Sequence, residues 1–284
     1  MNINMRVSVV IPVYNEADRI HDCLQAIADQ RVQPFEVIVV DNNSTDGSGA
    51  IARAFPFVTV LHEKRQGVVY ARDRGFNAAR GDIIARIDAD TIITDNWIET
   101  LIALFADSEL DLVTGSVSLR EIGAARLASR VDLFWRRHLH RRLKTRVGLQ
   151  GANMALRRKV WRSVRREVCH LPGLHEDFDL GVHAYQHGYK GRFAEELQVS
   201  VCHRQCNAGF KHFAEYALTS PRTYLHHGFT EGRVMYRVVA FVLLIYPIIF
   251  VLSRGYDEHL GRFSLAQLFT SSSPLRVNPA TFID

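Results

Sequence analysis

The chain has 284 residues, of which 47% are hydrophobic, which is enough apolar material for one large globular domain with an appendage. Its four cysteines are few and irregularly spaced, which argues against a disulfide framework and favours reduced thiols in a cytosolic setting. The short polar segment from Met1 to Arg6 lacks the pattern of a secretory signal.

The net charge of +5 conceals an asymmetry along the chain. Between Arg120 and His170 there are 15 basic and 3 acidic residues, whereas the remaining residues include 20 basic and 27 acidic ones. A basic block in an otherwise acidic chain points to an anionic partner or a membrane surface. A solvated basic face is the plainer alternative.

Strand-like and helix-like patterns alternate through the first half of the chain. Short apolar, β-branched runs predict four strands, at Arg6–Val13, Phe35–Val40, Val58–Leu61 and Ile83–Ile87. Helical spacing predicts a helix after each strand, around residues 20–27, at Ser48–Phe55, at Tyr70–Ala79 and around residues 97–105. Repeated βα units of this kind predict an α/β fold with a doubly wound, mostly parallel sheet flanked by helices.

Polar residues fall at the ends of these predicted strands, which is where ligands bind in such sheets. They are Asn15-Glu16, Asp41-Asn42-Asn43 and Asp88-x-Asp90. The last motif places two carboxylates one residue apart after a buried strand, and Mg²⁺ commonly combines such carboxylates with substrate phosphates. The motif is weak alone, because acidic pairs end many strands, and gains weight from the two strand-end motifs before it.

The second half is less regular. An apolar helical face from Leu127 to Leu143 is opposed by basic residues between Arg126 and Lys144. Phe134 and Trp135 fall on the apolar face rather than among the charges, which argues against binding of nucleic acid.

Further elements are predicted beyond this basic helix. We expect a strand in Gly151–Leu156, a helix at Asp177–His187, and one or two short strands in Arg192–Val201. Cys202-His203-x-x-Cys206 invites a zinc interpretation, but no second pair of ligands completes it, and ordinary cysteines fit better.

Val238–Ser253 is a 16-residue stretch without a formal charge. As a helix it would reach about 24 Å, short of the roughly 30 Å hydrocarbon core of a bilayer. Including Val234–Arg237 makes a marginal span, in which Pro247 would introduce a kink. A buried helical hairpin or a helix lying in the membrane plane fits about as well.

At this point several motifs match a known family. The runs Val9–Glu16 (VVIPVYNE) and Val37–Ser48 (VIVVDNNSTDGS) resemble the opening of the family 2 glycosyltransferases, which have the GT-A fold. The resemblance covers about residues 7 to 205, and its ordered set of motifs is far more specific than any one of them. It continues through Gly67, Ala71-Arg72, Ala79-Arg80-Gly81-Asp82, Asp88-Ala89-Asp90, Gly151-Ala152-Asn153-Met154-Ala155 and His175-Glu176-Asp177. Asp73 departs from the family pattern, which often has asparagine there.

The resemblance implies a site for a nucleotide-diphospho-sugar. In it Tyr14 would stack on the base, Asp41 would accept a hydrogen bond from the base, and Arg72 would reach the phosphates. The full set is Pro12, Tyr14, Glu16, Asp41, Arg72, Asp88, Ala89, Asp90 and Asn153. Plainer alternatives are a helix start at residues 15–18, a polar turn at residues 42–48 and a surface role for Arg72.

The resemblance also implies a divalent metal, Mn²⁺ or Mg²⁺, held by Asp90 with Asp88 and a further contact from His203. It implies that Asp177 is the catalytic base and that Glu176 supports it or orients the acceptor. A helix cap is the plainer role for this acidic pair. Attack opposite the leaving group would give a single displacement with inversion.

The sequence therefore predicts an inverting, metal-dependent glycosyltransferase at the cytoplasmic face of a membrane. Its donor would be a UDP- or GDP-sugar, and its acceptor a lipid-linked or surface-glycan hydroxyl. The alternatives are a non-catalytic, membrane-docked sugar-nucleotide-binding protein and a transferase acting on a polyprenyl phosphate. A dinucleotide enzyme is disfavoured, because no G-x-G-x-x-G follows the first strand.

The expected domain organisation has two parts. Residues 1–205 would form the transferase domain, with a nucleotide-sugar half at about 1–120 and an acceptor half at about 121–205. Residues 206–284 would form a helical extension that associates with a membrane.

Overall fold

The computed structural model describes residues 5–119, 148–201, 210–254, 256–257 and 262–263. Its central element is an eight-stranded sheet with the order β3-β2-β1-β4-β7-β6-β8-β5. The strands are β1 (Val7–Val13), β2 (Glu36–Asp41), β3 (Val58–His62), β4 (Ile83–Arg86), β5 (Ile92–Ile93), β6 (Leu112–Leu119), β7 (Met154–Arg157) and β8 (Gly191–Val201). A separate antiparallel pair joins β9 (Tyr256–Asp257) to β10 (Arg262–Phe263).

The first four strands of the sheet are parallel, as the alternating βα pattern predicts. β1 pairs with both β2 and β4, and β2 pairs with β3. The next strand, β7, runs antiparallel to both of its neighbours, β4 and β6. β6 pairs in parallel with β8, and β5 closes the edge in antiparallel orientation. The sheet is therefore mixed, with its parallel half in the N-terminal part of the chain.

Helices cover both faces of this sheet. In α1 the buried residues Ile20, Cys23, Leu24 and Ile27 recur at helical spacing and pack on one face. Phe76 of α3 packs with Trp161 of α5 on the opposite face. Because both faces are buried, the central strands are apolar nearly throughout. The helices in this part are α1 (Ala17–Ala28), α2 (Ser48–Arg53), α3 (Val68–Ala78), α4 (Trp97–Phe105), α5 (Arg158–Val164) and α6 (Glu176–Gln186).

Three further helices follow, α7 (Phe210–Ala217), α8 (Thr219–His226) and α9 (Glu231–Arg254). The α9 helix includes the predicted apolar stretch and contains Pro247. Within the ranges described above, no helix combines the length and the apolarity that a membrane crossing requires.

The predicted elements of the first half agree with the structure to within three residues at each end. In the second half, the one or two strands predicted at residues 192–201 are the single strand β8. The strand β8 contains a bulge. Gly115 of β6 pairs with Ala194 and the next residue, Ser116, pairs with Gln198, so β8 advances by four residues where β6 advances by one. The predicted basic helix at residues 126–144 and the predicted domain boundary near residue 205 lie outside the described residues.

Candidate active site

The parallel strands bring the predicted donor-binding residues to one edge of the sheet. β1 lies between β2 and β4, with Val13 opposite Asp41 and Val10 opposite Arg86. The carboxyl ends of the three strands therefore open onto the same crevice, as expected for a doubly wound sheet.

Hydrogen bonds between the loops after β1 and β2 shape the first part of this crevice. The backbone N–H groups of Asn15 and Glu16 donate to the hydroxyls of Ser44 and Ser48, at 3.1 and 2.7 Å. Asn15 itself has φ of 52°, a left-handed conformation that asparagine tolerates better than most residues. The predicted donor residues Pro12, Tyr14 and Glu16 lie at and just after the end of β1 and are half-buried, and their contact with the donor stays a prediction.

Asp41 is held in place at the end of β2. Its Oδ1 accepts a hydrogen bond from the N–H of Ser44 at 3.0 Å, and the residue is 8% exposed. A Cβ on Gly49 would lie 2.5 Å from Asp41 Oδ2, so the α2 helix approaches this carboxylate closely only because it has glycine there. A contact between Asp41 and a nucleotide base stays a prediction.

Asp88 and Asp90 follow β4 at the same edge. Both are half-buried, and the Asp88 side chain is 44% exposed. Two carboxylates at a solvent-accessible strand end are the hard oxygen donors that Mg²⁺ and Mn²⁺ accept, so the residues present fit the predicted metal. Ala89 between them is buried.

The centre of the site is Arg86, the last residue of β4, whose side chain is 3% exposed. Its Nη2 donates to Asp88 Oδ1 at 3.1 Å, and its Nη1 donates to Glu176 Oε1 at 3.2 Å and to Asp177 Oδ1. Burial disfavours its charge, but Asp177, Asp88 and Glu176 raise the pKa of Arg86 above its ordinary value. One guanidinium thus joins the D-x-D motif to the acidic pair.

Sequence analysis missed Arg86, although a signal was present. The run Ile83-Ile84-Ala85-Arg86-Ile87 places a cation in an otherwise apolar strand. A buried charge requires a partner, so this arginine alone predicts carboxylates beside the end of β4.

Glu176 and Asp177 begin the α6 helix, where acidic residues suit the helix dipole. Burial raises the pKa of Asp177 to about 6, although the Arg86 guanidinium opposes this shift. For Glu176, burial opposes ionisation, but the charges of Arg86 and His175 hold its pKa below the usual range. The two carboxyls are therefore unequal, and Asp177 is the more basic.

Gly151 completes the pocket of Asp177. Its N–H donates to Asp177 Oδ2 at 2.7 Å, so the two oxygens of this carboxylate contact Gly151 and Arg86. A Cβ at residue 151 would lie 2.6 Å from Asp177 Oδ2. A glycine at this position is therefore needed for the close approach of the Asp177 carboxylate to the backbone.

Two predicted donor contacts lie inside the core. Asn153 is fully buried, its Oδ1 accepts from Trp97 Nε1 at 3.0 Å, and its Nδ2 donates to the carbonyls of Ser116 and Leu197. These bonds fill the bulge between β6 and β8. Contact of Asn153 with the sugar stays a prediction, which would require these bonds to change.

Arg72 is likewise fully buried on α3. It donates to Asp73 Oδ1 from Nε and Nη2, at 3.0 and 2.8 Å, and from Nη1 to the carbonyl of Glu176 at 2.7 Å. The structure therefore excludes the surface role and shows Arg72 holding the first residue of α6. Its contact with phosphates stays a prediction, and the predicted metal contact His203 lies outside the described residues.

The C-terminal helices also reach the site. His175 donates its backbone N–H to Thr223 Oγ1 of α8 at 2.8 Å, and its ring lies 5.9 Å from that of Tyr216 of α7. Burial and the charges of Glu176, Asp88 and Asp177 raise the pKa of Tyr216. The extension after residue 209 thus borders the acidic pair, which sequence analysis did not predict.

Known proteins of similar fold share this architecture. A mannosyltransferase, PcManGT from Pyrobaculum calidifontis, solved with GDP-Man and Mn²⁺, superposes with a TM-score of 0.62 at 19% identity, over 88% of this chain and 73% of that one. Glucosyl-3-phosphoglycerate synthase from Mycobacterium tuberculosis, solved with Mn²⁺, UDP-glucose and phosphoglyceric acid, gives a TM-score of 0.57 at 21% identity, over 80% and 81% of the two chains. The predicted GT-A fold is confirmed.

Comparison of the amino-acid sequence with known proteins identifies the family. The glycosyltransferase AglE of Haloferax volcanii is 32% identical over 204 residues, which are 69% of this chain and 66% of that protein. The chain spans between about a third and two thirds of the length of the first curated relatives it matches. The family described as Glycosyl transferase family 2 matches residues 8–165, more than half of the chain. The protein therefore belongs to glycosyl transferase family 2.

Proposed function

We propose that this protein transfers a sugar from a nucleotide-diphospho-sugar to an acceptor hydroxyl, with inversion and with a divalent cation. One observation carries the proposal, namely that Arg86 contacts Asp88 on one side and the Glu176–Asp177 pair on the other. The motif predicted to hold the donor and the motif predicted to activate the acceptor therefore share one guanidinium.

The donor would lie along the carboxyl ends of β1, β2 and β4. Asp90 and Asp88 would hold Mn²⁺ or Mg²⁺, and Tyr14 and Asp41 would contact the base. A cation bound there supplies neutralisation of the charge on the diphosphate leaving group. The two solved neighbours bind GDP-Man and UDP-glucose, each together with Mn²⁺. This supports a GDP-sugar or a UDP-sugar as the donor, with a divalent cation.

Asp177 would accept the proton of the acceptor hydroxyl. As the acceptor oxygen bonds to the anomeric carbon, the bond from that carbon to the diphosphate breaks, and the nucleoside diphosphate departs with its electron pair. A pKa of about 6 suits this role, because the carboxylate is ionised at neutral pH yet still basic. Arg86 and Gly151 each occupy one oxygen of Asp177, so the carboxylate retains lone pairs that can accept the acceptor hydroxyl.

A donor panel tests the proposed function. Wild-type protein is mixed with UDP-, GDP-, dTDP- and CMP-sugars in the presence of Mn²⁺, Mg²⁺ or EDTA, and binding and slow donor hydrolysis are measured. We expect one nucleotide to bind and to be hydrolysed only with metal, and Asp90→Asn to weaken metal-dependent binding by about 10-fold or more. Failure of every donor to bind in any metal would refute both the transferase and the non-catalytic sugar-nucleotide-binding alternative.

The polyprenyl-phosphate alternative differs in its acceptor chemistry. A phosphate oxygen is already anionic and requires no base, whereas a hydroxyl does. A transferase acting on phosphate would therefore retain most of its activity in Asp177→Asn, while a transferase acting on a hydroxyl would lose it.

The α9 helix supports the proposed contact with a membrane. Its exposed side carries Val234, Phe241 and Leu244, which are 52%, 56% and 77% exposed. Arg233 and Arg237 are exposed on the same helix. An apolar stripe accompanied by arginines is typical of helices that lie in the interface of an anionic membrane, so the acceptor would be met at a lipid surface.

Vesicle sedimentation measures this contact. We expect the protein to sediment with phosphatidylglycerol vesicles, and Phe241→Ser with Leu244→Ser to lower the partition constant by about 10-fold or more, because two apolar side chains no longer insert. Phe57→Ser, an exposed aromatic residue distant in the sequence, serves as the control and should leave partitioning unchanged. Equal sedimentation of the double variant and wild type would refute α9 as the contact.

A further inference from the structure

A second cluster of metal-ligating side chains lies on the α6 helix, beyond the acidic pair. Asp179 and His183 are four residues apart on α6 and so lie on the same face. Cys169, from the segment between α5 and α6, and His227, at the end of α8, meet them there. The four residues offer one ligand atom each, and these atoms all lie within 4.8 Å of one another.

The distances within this cluster suit a tetrahedral ion. Asp179 Oδ1 lies 3.6 Å from His183 Nε2 and 2.7 Å from His227 Nε2, and Cys169 Sγ lies 4.0 Å from His183 Nε2. Tetrahedral zinc with ordinary bond lengths separates such ligand atoms by roughly 3.3–3.7 Å. Shifts of less than about 1 Å, within the range of side-chain adjustment, would bring all four atoms to these separations.

The surroundings of the cluster also fit a metal site. Asp179 is fully buried and His183 is 8% exposed, whereas Cys169 and His227 are half-buried, so the two ligands on α6 are withdrawn from solvent. His183 Nδ1 is buried and makes no hydrogen bond within the described chain, but it lies 3.9 Å from Glu167 Oε2. Histidine ligands commonly donate their second ring nitrogen to a carboxylate in this way, which fixes the ring for the metal.

We propose that Cys169, Asp179, His183 and His227 form a binding site for a single zinc ion. Thiolate and imidazole ligands select zinc over Mg²⁺, and a set of four protein ligands is typical of a structural site. Because the ligands come from the segment before α6, from α6 and from α8, the ion joins the C-terminal helices to the helix that carries Glu176 and Asp177. This site is separate from the proposed donor metal at Asp88 and Asp90.

Zinc binding to the full-length protein tests the proposal. The protein is purified without a metal-affinity resin, stripped with EDTA and titrated with Zn²⁺ against a chromophoric chelator. We expect about one equivalent to bind with a dissociation constant below about 1 µM, and the thermal midpoint to rise, because the ion binds only the folded chain. Replacement by Co²⁺ should give a thiolate-to-cobalt charge-transfer band and the intense visible bands of a tetrahedral site.

Matched variants locate the ion. Cys169→Ser and His227→Asn should weaken zinc binding by more than the roughly 10–100-fold that loss of an outer partner costs, and Cys169→Ser should abolish the charge-transfer band. Cys23→Ser, Cys206→Ser and Asp90→Asn should retain both zinc and the band. Folding of each variant is checked by circular dichroism and gel filtration.

Two results would overturn the proposal. One is zinc binding by the wild type weaker than about 1 µM, which would leave a hydrogen-bonded cluster without an ion. The other is retention of the band in Cys169→Ser or its loss in Cys206→Ser, which would place the ion elsewhere. The test does not depend on the folding of the Cys169 and His227 variants. Zinc affinity of the wild type and the cobalt spectra of the wild type and of Cys206→Ser are measured on protein whose cluster is unchanged, and either can overturn the proposal.

Discussion

Asp177→Asn is expected to lower the rate of sugar transfer by about 10²–10⁴-fold, the usual contribution of a general base. The amide keeps the size of the side chain but cannot accept the proton of the acceptor hydroxyl. Donor binding should change little, because the proposed contacts with the nucleotide lie at the ends of β1, β2 and β4. Single-turnover transfer and calorimetric binding of the donor separate these two effects.

Glu176→Gln provides the matched comparison for this experiment. Glu176 lies beside Asp177, contacts the same Arg86 and has a lowered pKa, so it is the weaker base. We expect its substitution to reduce transfer by less than about 10-fold. The reverse order, with Glu176→Gln the more damaging variant, would identify Glu176 as the base and Asp177 as its buried support.

Local pattern was sufficient to predict the parallel half of the fold. β1, β2, β3 and β4 alternate with helices along the chain, and a repeated βα pattern of this kind predicts parallel pairing among its strands. The insertion of β7 between β4 and β6 is different, because it pairs residues 83–86 with residues 154–157. β7 is a four-residue strand outside the alternating βα pattern, so nothing in that pattern selects its partners, and the mixed half of the sheet could not be predicted.

In the candidate site, too, the local sequence pattern predicts some residues, whereas others are identified only by the tertiary fold. The strand-end positions of Asp41, Asp88 and Asp90 follow from periodicity, and the structure places them at one edge of the sheet. Two partners of Arg86, namely Glu176 and Asp177, lie 90 and 91 residues after it, and only the tertiary fold identifies them. Sequence resemblance assigned Arg72 and Asn153 to the ligand, whereas the structure shows both bonded within the core.

The cluster at Cys169 was hidden for a similar reason. Its four residues have no metal-binding spacing in the sequence. Cys169 precedes α6 in the chain and His227 follows α8, and only the fold brings both to Asp179 and His183. The sequence instead drew attention to Cys202-His203-x-x-Cys206, which lies outside the described residues. Only the i and i+4 spacing of Asp179 and His183 was visible, and one such pair is common on helices.

Arg86→Met is expected to destabilise the protein by about 3–5 kcal/mol, the usual effect of removing one partner from a buried ion pair. The substitution removes the counter-charge that directly contacts Asp177 and Glu176, and methionine restores the volume of the side chain but not its donors. Urea unfolding followed by circular dichroism measures the loss as a lower transition midpoint. Transfer activity should also fall, because Asp177 would no longer be held in position.

Two comparisons show whether buried charge is the cause. Arg80→Met removes an exposed guanidinium that contacts Glu36 at 3.1 Å, and an ion pair of that kind contributes at most about 1 kcal/mol. The double variant Arg86→Met with Asp177→Asn should lose less free energy of unfolding than the two single variants lose together, by about 0.5–3 kcal/mol. The reason is that Asp177→Asn removes one of the two buried carboxylates that Arg86→Met leaves without this counter-charge. Strict additivity of the two changes would show that Arg86 acts through packing, and that the contact between the D-x-D motif and the acidic pair is incidental.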